Sequence, residues 1–155
     1  MSGIGSKRAV AQHGRRSRIL VIDADPEVCQ ILLRVLNEDD HEVVFGQSAA
    51  SLDELLNECS PCDAVLVDVS SAAEALLDIL PSLKRRYPET EVICISQPAD
   101  IHLWLEAIQR GAYEYLAKPV AAEDLLWILT GALARNRCHY QSAELKRASS
   151  GATSG

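Results

Sequence analysis

The apolar residues of this chain gather in short runs that do not alternate, and each run ends in a side chain suited to phosphate or metal chemistry. Ile19-Leu20-Val21-Ile22 leads to Asp23, Ala64-Val65-Leu66-Val67 to Asp68, and Val92-Ile93-Cys94-Ile95 to Ser96. A further segment, Tyr113–Ala117, leads to Lys118-Pro119. A strand with one wet face alternates apolar and polar residues, whereas unbroken runs belong to strands covered on both faces, as in a parallel sheet. Helical stretches separate the runs, so the order reads βαβα and all strands end on one edge. In open α/β sheets, ligands bind outside that carboxyl edge. Two aspartates, a hydroxyl and an ammonium are therefore expected to meet although 45 to 95 residues separate Asp23 from Asp68 and Lys118.

Local signals divide the body into five strand–helix units. Asp25-Pro26 opens the first helix, as an N-cap followed by the proline tolerated at the first helical position. Val28, Ile31, Leu32, Val35 and Leu36 then form one apolar stripe at helical spacing. His41–Phe45 reads as the second strand and Ser51–Cys59 as a short helix. Ala72–Arg86 reads as the third helix, stopped by Tyr87-Pro88, and Asp100–Arg110 as the fourth, closed by Gly111. The fifth runs over Glu123–Asn136, with Leu125, Leu126, Ile128, Leu129 and Leu133 inward. Residues 1–17 and 137–155, rich in Ser, Gly, Ala and basic side chains, read as flexible tails around a domain at 18–136.

Charge is unevenly spread. Residues 1–18 carry +5, residues 19–134 carry −15 and residues 135–155 carry +3, within a net −7. An acidic body argues against nucleic acid as the partner of the domain and suits a divalent cation or a basic protein face. The basic start of the chain (Lys7, Arg8, Arg15, Arg16, Arg18) reads as a solvated tail. No apolar run reaches the length of a membrane span, and no apolar segment follows the first basic residues as in a secretory signal. Five cysteines, an odd number, with Cys29 and Cys94 inside apolar patterns, point to a reduced cytoplasmic setting. Cys59-Ser60-Pro61-Cys62 has redox-motif spacing but ends a helix instead of opening one, and reads as a plain loop.

The segments Arg-Ile-Leu-Val-Ile-Asp-Ala-Asp-Pro-Glu at 18–27, Asp-Ala-Val-Leu-Val-Asp at 63–68, Val-Ile-Cys-Ile-Ser at 92–96 and Gly-Ala-Tyr-Glu-Tyr-Leu-Ala-Lys-Pro-Val at 111–120 stand in order. Together they resemble the receiver domain of bacterial two-component response regulators. The resemblance implies a flavodoxin-like, doubly wound five-stranded parallel sheet with strand order 2-1-3-4-5. It also implies a signalling module, not an enzyme, that takes a phosphoryl group from a histidine kinase or phosphotransfer protein onto Asp68. A carboxylate is a weak nucleophile, so such transfer depends on positioning and on neutralising charge over the phosphoryl oxygens. By the same resemblance, Mg²⁺ would be held by Asp23, Asp68 and the backbone carbonyl of Ser70, with Lys118 and Ser96 on the phosphoryl oxygens. Ser96 and Tyr115 would be the switch pair, and Lys118-Pro119 a cis peptide. Output would pass to a downstream protein through the face of the fourth helix, fifth strand and fifth helix. Trp104, Leu105, Ile108, Tyr115 and Trp127 lie along that face; most of them are expected in the core, and an exposed aromatic there would mark a docking patch.

Departures from the family pattern bear on how well the site works. Ala24 stands where the family places a principal metal carboxylate, so Mg²⁺ binding is expected to be weakened, with Asp25 one residue further as a possible substitute. The stretch after Asp68, Val69-Ser70-Ser71-Ala72, lacks the family's Met-Pro and later Gly, which predicts an early start of the third helix near Ser71. Gln97 follows Ser96 where the family prefers a small residue. The reading is of an atypical, stand-alone receiver accepting a phosphoryl group on Asp68; the alternative is a phosphorylation-independent pseudo-receiver that binds protein partners.

Overall fold

The structure, a computed structural model, describes residues 16–22, 25–36, 40–46, 51–70, 73–97 and 100–153, with side chains in the last helix described to residue 136 and at 145–149. Asp23, Ala24, Ser71 and Ala72 lie outside the described residues, as does the N-terminal tail up to residue 15. The strands are β1 (Ser17–Ile22), β2 (His41–Gly46), β3 (Ala64–Asp68), β4 (Glu91–Ser96) and β5 (Glu114–Ala117). They form one five-stranded sheet in the order β2-β1-β3-β4-β5. All its pairings are parallel. The helices are α1 (Pro26–Val35), α2 (Leu52–Cys59), α3 (Ala73–Arg86), α4 (Ile101–Gln109) and α5 (Ala122–Thr153).

Each strand feeds two cores. Leu20, Ile22, Val65, Val67, Val92 and Cys94 face one side, where Leu52, Leu56, Leu76, Leu80, Leu83 and Ala107 of α2, α3 and α4 cover them. Ile19, Val21, Ala64, Leu66, Ile93 and Ile95 face the other, under Val28 and Leu32 of α1 and Leu125, Leu129, Ala132 and Leu133 of α5. Burial on both faces is the physical reason the runs do not alternate. Each buried Leu or Ile contributes roughly 1.5–3 kcal/mol of transfer free energy, so the two layers fix the register that aligns the strand ends.

The capping signals act as the sequence suggests. Asp25 Oδ1 accepts from the Glu27 amide at 2.9 Å with Pro26 at the first helical position. Asp100 Oδ1 caps α4 through the His102 and Leu103 amides at 2.9 and 3.3 Å. Gly111 follows the α4 C-cap Arg110 with φ +114°, a conformation that costs a Cβ-bearing residue dearly.

Three expectations need correction. The last helix does not stop at Asn136: it continues to Thr153, 17 residues into the segment read as a tail. Neither Gly131 nor Gly151 interrupts it, the segment holds no proline, and Ala, Glu, Leu, Lys and Arg are sufficient formers to propagate a helix already nucleated on the sheet. Leu126 is exposed, since Leu125, Leu129, Ala132 and Leu133 already fill the sheet-facing stripe. On α4, Trp104, Leu105 and Ile108 are exposed as well, and Trp127 of α5 is 81% exposed. Among the described residues of α4 only Ala107 is fully buried, so this helix carries more apolar side chains than one sheet-facing stripe can use.

Candidate functional site

Strand register brings the predicted residues to one edge. Asp68, the last residue of β3, lies beside Ile95 of β4, and the Val69 amide bonds to the Ile95 carbonyl at 2.8 Å. Ser96 ends β4 beside Ala117 of β5, and the Lys118 amide donates to the Ser96 carbonyl at 2.9 Å. Lys118 thereby leaves the end of β5 bonded to the end of β4, and its long side chain reaches Asp68 at the end of β3. The Lys118-Pro119 peptide is cis.

Asp68 is the centre of the arrangement. Its Oδ2 accepts from Lys118 Nζ at 2.9 Å. Its Oδ1 accepts from the Ser70 hydroxyl at 2.6 Å and from the Ser70 amide at 2.9 Å. The same Lys118 Nζ lies 3.5 Å from Asp25 Oδ2, so two carboxylates share one ammonium. Partial burial pushes the Asp68 carboxyl up, but the Ser70 hydroxyl and amide and the Lys118 ammonium outweigh it and hold the group below its ordinary value of 3.8. The carboxylate is thus ionised at neutral pH, oriented by three donors and partly exposed, a state suited to a phosphoryl acceptor.

Ser96 is buried at the adjoining strand end. Tyr115 is half-buried; its hydroxyl is buried with no hydrogen-bond partner among the described residues. Its ring lies beside Val69, Leu76, Cys94 and Leu103, and also borders an open cleft of about 460 Å³ lined by Asp100, Ile101, Trp104 and Ala117. Asp23 and Ala24 cannot be placed, being outside the described residues. Sequence reasoning assigned Ser70 only a carbonyl; the structure shows its hydroxyl and amide both on Asp68, and the hydroxyl also accepts from the Gln97 amide at 3.0 Å. The available signal was a serine two residues after a strand-end aspartate, the spacing of a side-chain-closed turn.

The donor set for a cation is oxygen-rich, as a hard divalent ion demands. Among the described residues no three His, Cys, Asp or Glu side chains gather. Asp68 and Asp25 supply two carboxylates, both within 4 Å of Lys118 Nζ, and Asp23 lies outside the described residues. These residues fit Mg²⁺ with fewer carboxylates than an adjacent acid pair would give, because Ala24 offers none. The Cys59–Cys62 loop takes no part: both thiols are free, and burial, with the neighbouring Asp63 charge, pushes the Cys62 thiol up to about 12.

The family model of the response regulator receiver domain matches residues 19–130. The DNA-binding transcriptional regulator NtrC of Bradyrhizobium sp. (strain RP501 Parasponia) is 34% identical over 116 residues, which are 75% of this chain and 24% of that protein. The nitrogen assimilation regulatory protein NtrX of Azorhizobium caulinodans is 29% identical over 133 residues, covering 83% of this chain and 29% of its own length. A crystal structure of NtrX from Brucella abortus in complex with ADP aligns with a TM-score of 0.70 at 27% identity, covering 84% of this chain and 29% of that one. The signal receiver domain of an HD domain-containing protein from Pseudomonas fluorescens Pf-5 aligns with a TM-score of 0.71 at 26% identity, over 82% of this chain and 93% of that one. This chain spans about a quarter of the length of the curated relatives it matches. No helix among the described residues is long and apolar enough to cross a membrane. A sheet of this order, carrying a strand-end aspartate under a lysine from beyond the fifth strand, agrees with that match over most of its length: the chain belongs to the response regulator receiver family, the signalling modules of two-component phosphorelays.

Proposed function

We propose that this chain accepts a phosphoryl group on Asp68 from a histidine kinase or phosphotransfer protein and signals through protein–protein contact. The observation that carries the reading is the 2.9 Å pair of Lys118 Nζ and Asp68 Oδ2, with Ser96 at the next strand end. In this reading Lys118 neutralises one phosphoryl oxygen and Ser96 donates to another. Tyr115 then responds to the movement of Ser96, and α4, β5 and α5 present the altered surface to a downstream partner. Exposed Trp104, Leu105, Ile108 and Trp127 give that surface its apolar character. Asp23, Asp68 and the Ser70 carbonyl hold Mg²⁺, with Asp25 substituting in part for the carboxylate that Ala24 lacks. When bound, the ion neutralises negative charge on the transferring group. The module works in the cytoplasm and does not bind nucleic acid through this domain.

Intact mass after incubation with acetyl phosphate, with and without Mg²⁺, tests the reading. A gain of one phosphoryl group that needs Mg²⁺ and disappears in Asp68→Ala is expected. A second reading, a pseudo-receiver that binds its partner without phosphorylation, is favoured by Ala24 and by the altered stretch after Asp68. It would be established by an unmodified mass at every Mg²⁺ concentration together with equal partner binding by Asp68→Asn.

A further inference from the structure

A single oxygen joins the acceptor strand to the strand that carries Ser96. Ser70 Oγ stands 2.6 Å from Asp68 Oδ1 and 3.0 Å from the Gln97 amide nitrogen. A hydroxyl has one proton to give and two lone pairs to accept with. The carboxylate has no proton and the amide no lone pair to offer, so the roles are fixed: Ser70 donates to Asp68 and accepts from Gln97. Both Ser70 and Gln97 are exposed, so the contact is not a by-product of core packing. With Lys118 on Oδ2, both oxygens of the carboxylate are engaged by donors of the same chain.

We propose that the Ser70 hydroxyl is a resting-state latch, a positioning residue that occupies a phosphoryl-oxygen position in the unmodified protein and slows phosphoryl entry. The proposal rests on the reading of Asp68 as the acceptor. The separation of 2.6 Å between Ser70 Oγ and Asp68 Oδ1 is close to that of two oxygens on one tetrahedral phosphorus. A phosphoryl group bonded to Oδ1 would carry an oxygen where Ser70 Oγ now stands, and that oxygen would inherit the Gln97 amide. The hydroxyl and the phosphoryl group are therefore competitors for one position. In the transfer from acetyl phosphate, the bond from Asp68 oxygen to phosphorus forms as the phosphorus–oxygen bond to acetate breaks, and acetate leaves with the electron pair. The Ser70 proton takes no part; the hydroxyl only has to rotate away first. Until it does, Gln97 and the Ser96 that precedes it stay tied to the unmodified carboxylate.

The test pairs a kinetic readout with a contact readout. Phosphoryl uptake from acetyl phosphate with Mg²⁺ is followed by intact mass in the wild-type chain, Ser70→Ala and Ser70→Thr. The Gln97 amide is followed by ¹H–¹⁵N NMR in the same proteins, metal-free and unmodified. Loss of a hydrogen bond to a charged group is expected to raise the uptake rate of Ser70→Ala by about tenfold, while Ser70→Thr, which keeps a hydroxyl, restores the slow rate. The Gln97 amide proton should shift upfield and exchange faster in Ser70→Ala alone. Equal uptake rates in wild type and Ser70→Ala, or a Gln97 amide that does not respond, would overturn the latch while leaving Asp68 as acceptor. A responding amide with no uptake in any of the three proteins would instead sink the acceptor reading, and the latch with it.

Discussion

The two edges of the sheet use the same chemistry to opposite ends. At the amino edge, Asp63 accepts from the Arg18 amide at 2.6 Å, and Lys84 Nζ bonds to the Thr90 carbonyl at 2.6 Å. Glu91, only 1% exposed, lies 3.7 Å from Lys84 and 3.8 Å from Arg135. Asn136 of α5 donates to the Glu89 carbonyl, and the Thr90 hydroxyl to the Cys62 carbonyl at 2.6 Å. Here the carboxylates of Asp63 and Glu91 are buried, and Asp63 and Lys84 bond to main-chain atoms, which cannot be exchanged without unfolding the strand starts. At the carboxyl edge, Asp68 meets a side-chain ammonium, a hydroxyl and one amide, and is partly exposed. Side-chain partners can be replaced by a ligand at the cost of a rotamer change. Acid–base pairs therefore make a clamp where the backbone closes them in, and a site where it leaves them open.

The sharpest way to break this contrast is to neutralise one acid at each edge. Asp68→Asn should abolish phosphoryl uptake, read by intact mass, while its thermal unfolding stays within a few degrees of wild type. Glu91→Ala should do the reverse, leaving uptake intact and lowering stability by about 3 kcal/mol in urea titration, because Lys84 loses its buried partner. Adding Lys84→Met to Glu91→Ala should return part of that loss; if it deepens the loss, the amino edge is not an ion-pair clamp. A smaller effect is expected from Ala24→Asp, which restores a carboxylate to the open edge. It should lower the Mg²⁺ concentration needed for half-maximal uptake by about tenfold, and an unchanged Mg²⁺ requirement would remove Ala24 from the account of the site.

The smallest effects are those of pH. Asp68 is held below 3.8 in the folded chain. Its stabilisation is complete above that value and is lost as pH falls through the lowered folded value, so the stability gap between wild type and Asp68→Asn should narrow only in acid. Lys84 is pushed below its ordinary 10.5 by burial and then by Arg135, against the opposing pull of Glu91. The unfolded chain holds the extra proton between the lowered value and 10.5, so the Lys84 contribution to stability rises with pH across that window. Cys62 and Cys94, pushed up to about 12 by burial, oppose it above 9. The lysine effect is therefore measured as a difference from Lys84→Met; a flat difference would count against a desolvated ammonium.

Much of this was legible in the sequence, for physical reasons. Unbroken runs such as Ala64-Val65-Leu66-Val67 require cover on both faces, and with helical stretches between them they imply a parallel sheet with its ends aligned. Asp25, Asp100 and Gly111 marked helix ends because caps are local chemistry. What was not legible depends on surplus or on relay. Trp104, Leu105 and Ile108 look like core, because nothing local says that Leu103 and Ala107 already satisfy the sheet. Segment 137–153 lacks a stripe and reads as a tail, yet propensity suffices to extend a helix whose first turns are anchored. Ser70 escaped because its role needs Gln97, 27 residues away, as a third party.

The length of α5 sets a matter of rotational phase. At about 1.5 Å per residue, its 32 residues span roughly 48 Å, with the start clamped by Leu125 and Leu129 on the sheet and residues 145–149 exposed beyond it. A continuous helix transmits twist as well as position. Any body joined behind it would be turned by about 100° for each residue inserted or removed, and brought back almost to its first bearing by seven. The azimuth at which this domain presents a neighbour is thus written into a residue count, independent of the chemistry at the sheet's other end.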